Sequence, residues 1–256
     1  MQLRAFIAVA LGFLALATLA RAANYSPRET FSRTAAFSPT GSLSLKNVNG
    51  DIVIEAWDRD EILIEGEKSA KTVDELKAID LTLALSDTRA DIKVHLPKRS
   101  GGWFGNDSLR GAVTFRIKIP GTAVLEKIDT VNASVQITGL RGRIDAQTVN
   151  GRIRATNIAG DASLQTVNGQ VDAAFASVAA GQKLAMKTVN GSVRVALPPD
   201  TGLEVSGSVV NGHIECDLPL QLTGKISRKR VEGTIGDARA TLRAQSVNGS
   251  IHLEKL

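Results

Sequence analysis

Short runs in which apolar and polar residues alternate dominate this chain. Arg152-Ile153-Arg154-Ala155, Gln170-Val171-Asp172-Ala173, Ser192-Val193-Arg194-Val195 and Ser250-Ile251-His252-Leu253 share one pattern, and each follows an Asn-Gly pair. Period-two alternation makes half-buried β-strands. A second short strand precedes each Asn-Gly, as in Ala162-Ser163-Leu164-Gln165-Thr166.

The Asn-Gly pairs belong to a repeat of the form Thr/Ser-Val-Asn-Gly. Its copies end at Asn49-Gly50, Asn132-Ala133, Asn150-Gly151, Asn168-Gly169, Asn190-Gly191, Asn211-Gly212 and Asn248-Gly249. From Asn132 the asparagines are spaced by 18, 18, 22, 21 and 37 residues, and Arg230-Val231-Glu232-Gly233 reads as a degenerate copy dividing the last gap. A marker that appears once per period suits a stack of β coils, each paired in parallel with the next. The expected fold is therefore all-β: a single-stranded parallel β-solenoid, or β-helix, with an N-terminal cap of strands and one short helix. An antiparallel meander competes, because Asn-Gly also makes hairpin turns and Gly139, Gly160 and Gly181 sit roughly midway between markers.

Stacked coils have two consequences. The asparagines Asn132, Asn150, Asn168, Asn190, Asn211 and Asn248 come to one corner, where their amides are expected to form a turn ladder. The outward positions just past the corner (Gln136, Arg154, Asp172, Arg194, Glu215 and His252) fall in one column at about 4.8 Å per step. Arg154, Asp172, Arg194 and Glu215 alternate in sign, which reads as a cross-strand charge ladder worth about 0.2–1 kcal/mol per pair. Ordinary solvated strand charge is the competing reading.

The rest of the chain is less periodic. Residues 1–22 read as a secretory signal: Arg4, an apolar stretch from Ala5 to Leu19, then the Ala20-Arg21-Ala22 cleavage pattern. Residues 23–41 read as an extended leader. Residues 42–122 read as the cap, with strands near Glu61–Glu65, Leu81–Leu85, Asp91–Leu96 and Val113–Ile119, and a short helix from Thr72 to Ile79 opened by a capping box. Residues 123–256 hold the repeats. No second long apolar run follows the signal, so the mature chain is expected to lack a membrane span.

Composition narrows the chemistry. Cys216 is the sole cysteine, so no internal disulfide forms, and it reads as a buried apolar side chain. Arg4 and Arg21 leave with the signal, so Lys+Arg falls from 31 to 29 against 26 Asp+Glu, a net charge of +3. That is too mild and too scattered to imply nucleic-acid binding. His95, His213 and His252 have no ligand spacing, and no nucleophile, phosphate-loop or dinucleotide motif is present. No cofactor or metal is implied. In an aromatic-poor chain, Trp103 and Phe104 in a Gly-rich loop are a candidate contact site for glycan or protein, against a loop tip folding over a core edge.

The Thr-Val-Asn-Gly motif, the Glu55-Ala56-Trp57-Asp58 segment and the Ile117-Lys118-Ile119-Pro120-Gly121 run resemble the bacterial "putative adhesin" domain-of-unknown-function family. The resemblance runs from about residue 40 to the C-terminus and implies a β-solenoid envelope protein; it supplies no binding residues. The expected function is a non-enzymatic binding or scaffold protein, periplasmic or at the cell surface. Its partners would be an envelope protein or a polysaccharide, with Trp103, Phe104, Arg154, Asp172, Arg194 and Glu215 as binding candidates. The competing readings are a β-helix glycan lyase or hydrolase and a structural element that self-associates.

Overall fold

Each marker bends the chain between two strands, and those two strands go to different sheets. The computed structural model describes residues 26–97, 111–199, 201–222 and 227–256. The N-terminal part supplies β1 (Arg28–Ala36), β2 (Ser42–Lys46), β3 (Ile52–Trp57), β4 (Glu61–Ser69), the helix α1 (Val73–Lys77), β5 (Asp80–Leu85), β6 (Arg89–His95) and β7 (Ala112–Pro120). The repeats supply β8 (Val124–Asn132), β9 (Val135–Thr138), β10 (Ile144–Asn150), β11 (Ile153–Ile158), β12 (Ala162–Asn168), β13 (Val171–Phe175), β14 (Lys183–Asn190) and β15 (Val193–Leu197). The C-terminal part supplies β16 (Leu203–Asn211), β17 (Ile214–Cys216), β18 (Gln221–Leu222), β19 (Arg230–Ile235), β20 (Ala240–Asn248) and β21 (Ile251–Lys255).

Among the described residues these strands form an eleven-stranded and a ten-stranded sheet. Strands before a marker (β8, β10, β12, β14) pair in parallel in the larger sheet, with Asn132, Asn150, Asn168 and Asn190 in register. Strands after a marker (β9, β11, β13, β15) do the same in the smaller sheet. The fold is thus all-β with parallel ladders at its centre, and the meander is excluded for the marker strands.

Alternation places one side chain in two between the sheets. Ile52, Val135, Ile153, Val171, Val193 and Ile251 form one register column, and each is fully buried. β-Branched residues suit such a column because their stiff χ1 packs well on a pleated surface. Each is worth about 1.5–3 kcal/mol on burial.

Chain order and spatial order part company at the C-terminal end. β16 does not pair with β14; β20 lies between them, parallel to both. β21 likewise lies between β15 and β17. The last two strands are therefore laid between two earlier turns, which corrects the expected stacking in chain order. The degenerate marker is corrected as well. Arg230-Val231-Glu232-Gly233 makes no corner but lies in β19, antiparallel along the far edge of β16. Glu232 has no amide with which to join an asparagine ladder. A Cβ on Gly233 would come within 2.6 Å of the Gln221 carbonyl oxygen, so its glycine serves close contact within a strand.

The N-terminal end also departs from a separate cap. β2 and β3 pair in parallel with β8 and β9, so the first marker turn belongs to the stack although more than sixty residues separate it from the next marker. β6 and β7 add a further parallel turn outside it. Antiparallel β5, β4 and β1 then cover the outer edges, as β19 and β18 do at the other end. Such cover blunts exposed strand edges. β1 occupies much of the segment read as a leader, and its Phe31 stacks edge-on against Phe115 with ring centres 5.8 Å apart. Helix α1 is capped by Thr72, whose hydroxyl accepts from the Glu75 N–H at 3.2 Å. The signal segment and the Trp103-Phe104 loop lie outside the described residues. Among the described residues no helix is long and apolar enough to cross a membrane.

Candidate functional site

The corner explains why each marker residue is what it is. Thr at the first position points inward and donates to a carbonyl of the adjacent turn: Thr148 to Ala133 at 3.1 Å, Thr166 to Gly151 at 3.0 Å, Thr188 to Gly169 at 3.0 Å and Ser246 to Gly191 at 3.0 Å. Val at the second position points outward, and Val131, Val149, Val167, Val210 and Val247 are all exposed. The glycine lets successive corners approach. A Cβ on Gly169 would sit 1.9 Å from the Gly151 carbonyl oxygen. At Gly169 close approach alone excludes a side chain, whereas Gly50, Gly191, Gly212 and Gly249 also have positive φ.

Between them the asparagines form a continuous ladder. Each Nδ2 donates to the next Oδ1: Asn132 to Asn49, Asn150 to Asn132, Asn168 to Asn150, Asn190 to Asn168, Asn248 to Asn190 and Asn211 to Asn248, all at 2.7–2.8 Å. Asn190 and Asn211 do not touch; Asn248 stands between them. The order of the ladder follows the stack and not the chain.

The outward column on the ten-stranded sheet is reordered by the same insertion. Gln136, Arg154, Asp172, Arg194, His252 and Glu215 follow one another in register. Arg154 Nη2 lies 3.7 Å from Asp172 Oδ2, and Arg152 Nε lies 3.8 Å from the same atom. Asp172 Oδ1 accepts from Gln170 Nε2 at 2.7 Å. Arg194 turns to Glu254, at 4.0 Å. Arg194 and Glu215 are not neighbours, because His252 intervenes. The four-charge alternation is therefore broken after Arg194, and these long pairs, whose arginines are exposed, are worth about 0–1 kcal/mol each.

His252 assembles a cluster that the sequence pattern did not single out. Its Nδ1 lies 2.8 Å from Glu215 Oε2, and its Nε2 lies 3.3 Å from Asp217 and 3.5 Å from Glu254. His213 Nε2 lies 3.0 Å from Glu215 Oε1. Hydrogen bonds from His252 and then His213 hold the Glu215 carboxyl below the usual carboxylate range. His213 and His252 are 39 residues apart in a chain read in order, and no local signal brings them together. Among the described residues no group of three or more His, Cys, Asp or Glu is placed to hold a metal ion. Cys216 is half-buried and free, and burial pushes its thiol up.

Trp103 and Phe104 lie outside the described residues. No curated protein matches this chain. Residues 127–254 match the family model described as Toastrack DUF4097. Among solved structures the chain is similar to a "putative cell adhesion protein" from Clostridium sporogenes ATCC 15579, with 12% identity, 89% of this chain and 100% of that chain covered, and a TM-score of 0.52. It is also similar to a "putative adhesin" from Bacteroides fragilis NCTC 9343, with 13% identity, 88% and 97% covered, and a TM-score of 0.34. A "putative lipid binding protein" from Parabacteroides distasonis ATCC 8503 matches with 13% identity, 89% and 96% covered, and a TM-score of 0.28. Of these three likenesses, the first supports the fold.

Proposed function

Taking as premise that this chain belongs to the Toastrack DUF4097 family, we propose that it is an exported, non-catalytic binding scaffold of the bacterial envelope. We read its stack as a single-stranded parallel β-solenoid whose last turn is laid between two earlier ones. The observation that carries this reading is the register of the stack: equivalent outward side chains recur at every step on two long faces, held by the asparagine ladder. Repetition at the strand spacing suits an extended partner, a polysaccharide or an envelope protein, better than a small substrate. The paired and hydrogen-bonded state of Asp172 supports a structural role for the one carboxylate flanked by arginines in that column.

Two measurements test it. Mass spectrometry of the protein from the cell envelope is expected to find Ala23 at the N-terminus. Incubation with acidic and neutral polysaccharides is expected to yield no cleavage; turnover that disappears in Asp172→Ala would overturn the scaffold in favour of a glycan lyase or hydrolase.

A further inference from the structure

We propose that the outer face of the eleven-stranded sheet binds an acidic polysaccharide, whose anionic groups are received in a basic hollow over Ala185. This deepens the scaffold reading and rests on it.

The hollow follows from register. β14 buries Leu184, Met186 and Thr188 and turns Lys183, Ala185 and Lys187 outward. Ala185 pairs with Ser163 on one side and Arg243 on the other. Its methyl group is thus ringed by Lys183, Lys187, Arg243 and the Ser163 hydroxyl, all longer or more polar than itself. Gln165 and Gln245 flank Lys187 across the same two ladders. Two grooves, of about 740 and 250 Å³, meet here and share Ala185 and Arg243.

The charges on the two faces are treated differently. On the ten-stranded sheet Arg154 and Arg194 are each within 4.0 Å of a carboxylate. On this face, among the described residues, Lys183, Lys187 and Arg243 make no ion pair. Acids adjoin them without pairing with them: Asp161 Oδ1 accepts from the Lys183 backbone N–H at 3.0 Å, Asp145 lies across Ser163 from Ala185, Glu204 and Glu232 line the β16–β19 side of the larger groove, and Asp129 lies beyond Gln147 and Gln165. Three cations converging on a small residue, none of them held in an ion pair among the described residues, form a receptor for a carboxylate or sulfate.

The groove's direction selects a polymer. A third groove, of about 310 Å³, continues from Gln165 and Lys187 to Asp129. Together the three cross β8, β10, β12, β14, β20, β16 and β19, neighbours in that order. At about 4.8 Å per step this is a trough roughly 29 Å long. Gln147, Gln165 and Gln245 line it with amides that both donate to and accept from hydroxyls. The exposed ridge of Val149, Val167 and Val247 runs beside it and suits the apolar face of a sugar ring. The lining contains no aromatic stacking platform of the kind that single-stranded nucleic acid requires.

Calorimetric titration of the mature chain with polygalacturonate, heparin and neutral dextran tests this, with phosphatidylglycerol vesicles as a fourth arm. Polygalacturonate or heparin is expected to bind, more weakly as salt rises, and dextran is not. Carboxylate and sulfate as the anionic group are told apart by which of the first two binds. Arg243→Gln is expected to weaken binding about tenfold, the loss of one charge-assisted contact. Ala185→Glu, at an exposed site and with the fold checked by circular dichroism, is expected to abolish it. Arg33→Gln, exposed on β1 of the other sheet, is expected to change nothing. Binding unaltered by Arg243→Gln and Ala185→Glu overturns the assigned face and leaves the scaffold reading standing. Binding to vesicles alone overturns the polysaccharide in favour of a membrane surface. Cleavage of the polymer overturns the scaffold reading itself.

Discussion

Asn248 donates from Nδ2 to Asn190 Oδ1 at 2.7 Å, across 58 residues of chain. The next asparagine in sequence after Asn190 is Asn211, and it reaches Asn190 only through Asn248. This contact shows that the C-terminal strand pair is an internal turn of the stack. Without it, β14 and β16 would face each other across a gap one strand wide, and β15 and β17 likewise.

The insertion makes β20 a keystone for strands that precede it in the chain. Leu242 is fully buried in β20. Leu242→Ala is expected to cost about 2–5 kcal/mol. Hydrogen exchange should quicken not only in β20 but also in β16 and β19, which reach the stack through it. Exchange in β16 that remains as slow as in β12 would contradict this.

Equivalent corner threonines should respond unequally. Thr166 Oγ1 donates to Gly151, whereas Thr130 Oγ1 is buried with no hydrogen-bond partner. Thr166→Val removes a buried bond and is expected to cost about 1 kcal/mol. Thr130→Val relieves an unpaired hydroxyl and should be neutral or stabilising, because the penalty for a buried unpaired group disappears. Urea midpoints of the two variants decide the matter.

The ladder predicts a position dependence for asparagine. Asn168 both donates to Asn150 and accepts from Asn190. Asn211 donates to Asn248 from the end of the row. At about 1 kcal/mol per bond, Asn168→Ala is expected to lose roughly twice the stability that Asn211→Ala loses. Equal losses would mean that the ladder contributes less than the turns themselves. The corner glycine is stricter still: Gly169→Ala drives a methyl into the Gly151 carbonyl and is expected to cost about 1–3 kcal/mol or more.

Acid should loosen the far end of the stack first. The Glu215 carboxyl is held below its usual range by His252 and His213. A carboxyl lowered in the folded state contributes stability above its unfolded value and loses it as pH falls through the folded one. The clasp between β17 and β21 should therefore weaken as pH drops below the usual carboxylate range, near about 4.3. Hydrogen exchange in β17 followed downward from pH 6 should show this. In Glu215→Gln the exchange should be faster at pH 6 and the pH step should vanish.

Much of the architecture was legible because it is written locally. Alternation around Ile153, Val171 and Val193 determines which side chains face inward. The Thr-Val-Asn-Gly marker determines the corner, since an inward hydroxyl, an outward valine, a stacking amide and a bare glycine are properties of four consecutive residues. The Thr72 cap of α1 was readable for the same reason. The pairing of Arg154 with Asp172 was readable because their turns are consecutive both in the chain and in space.

The order of the turns was not legible, and the reason is the repeat itself. A corner that matches every other corner carries no label saying which neighbour it will take, so Asn190 is served equally well by Asn211 or Asn248. Tertiary structure made that choice by closing the whole stack, with antiparallel β19 covering one side of β16 and β20 filling the other. That closure seats His252 between Arg194 and Glu215, and it brings Arg243 beside Ala185 and the lysines of β14. By itself, the amino-acid order determined the cross-section of this protein. Only the folded chain decided the sequence of layers, because register within a layer is a local matter and adjacency between like layers is a global one.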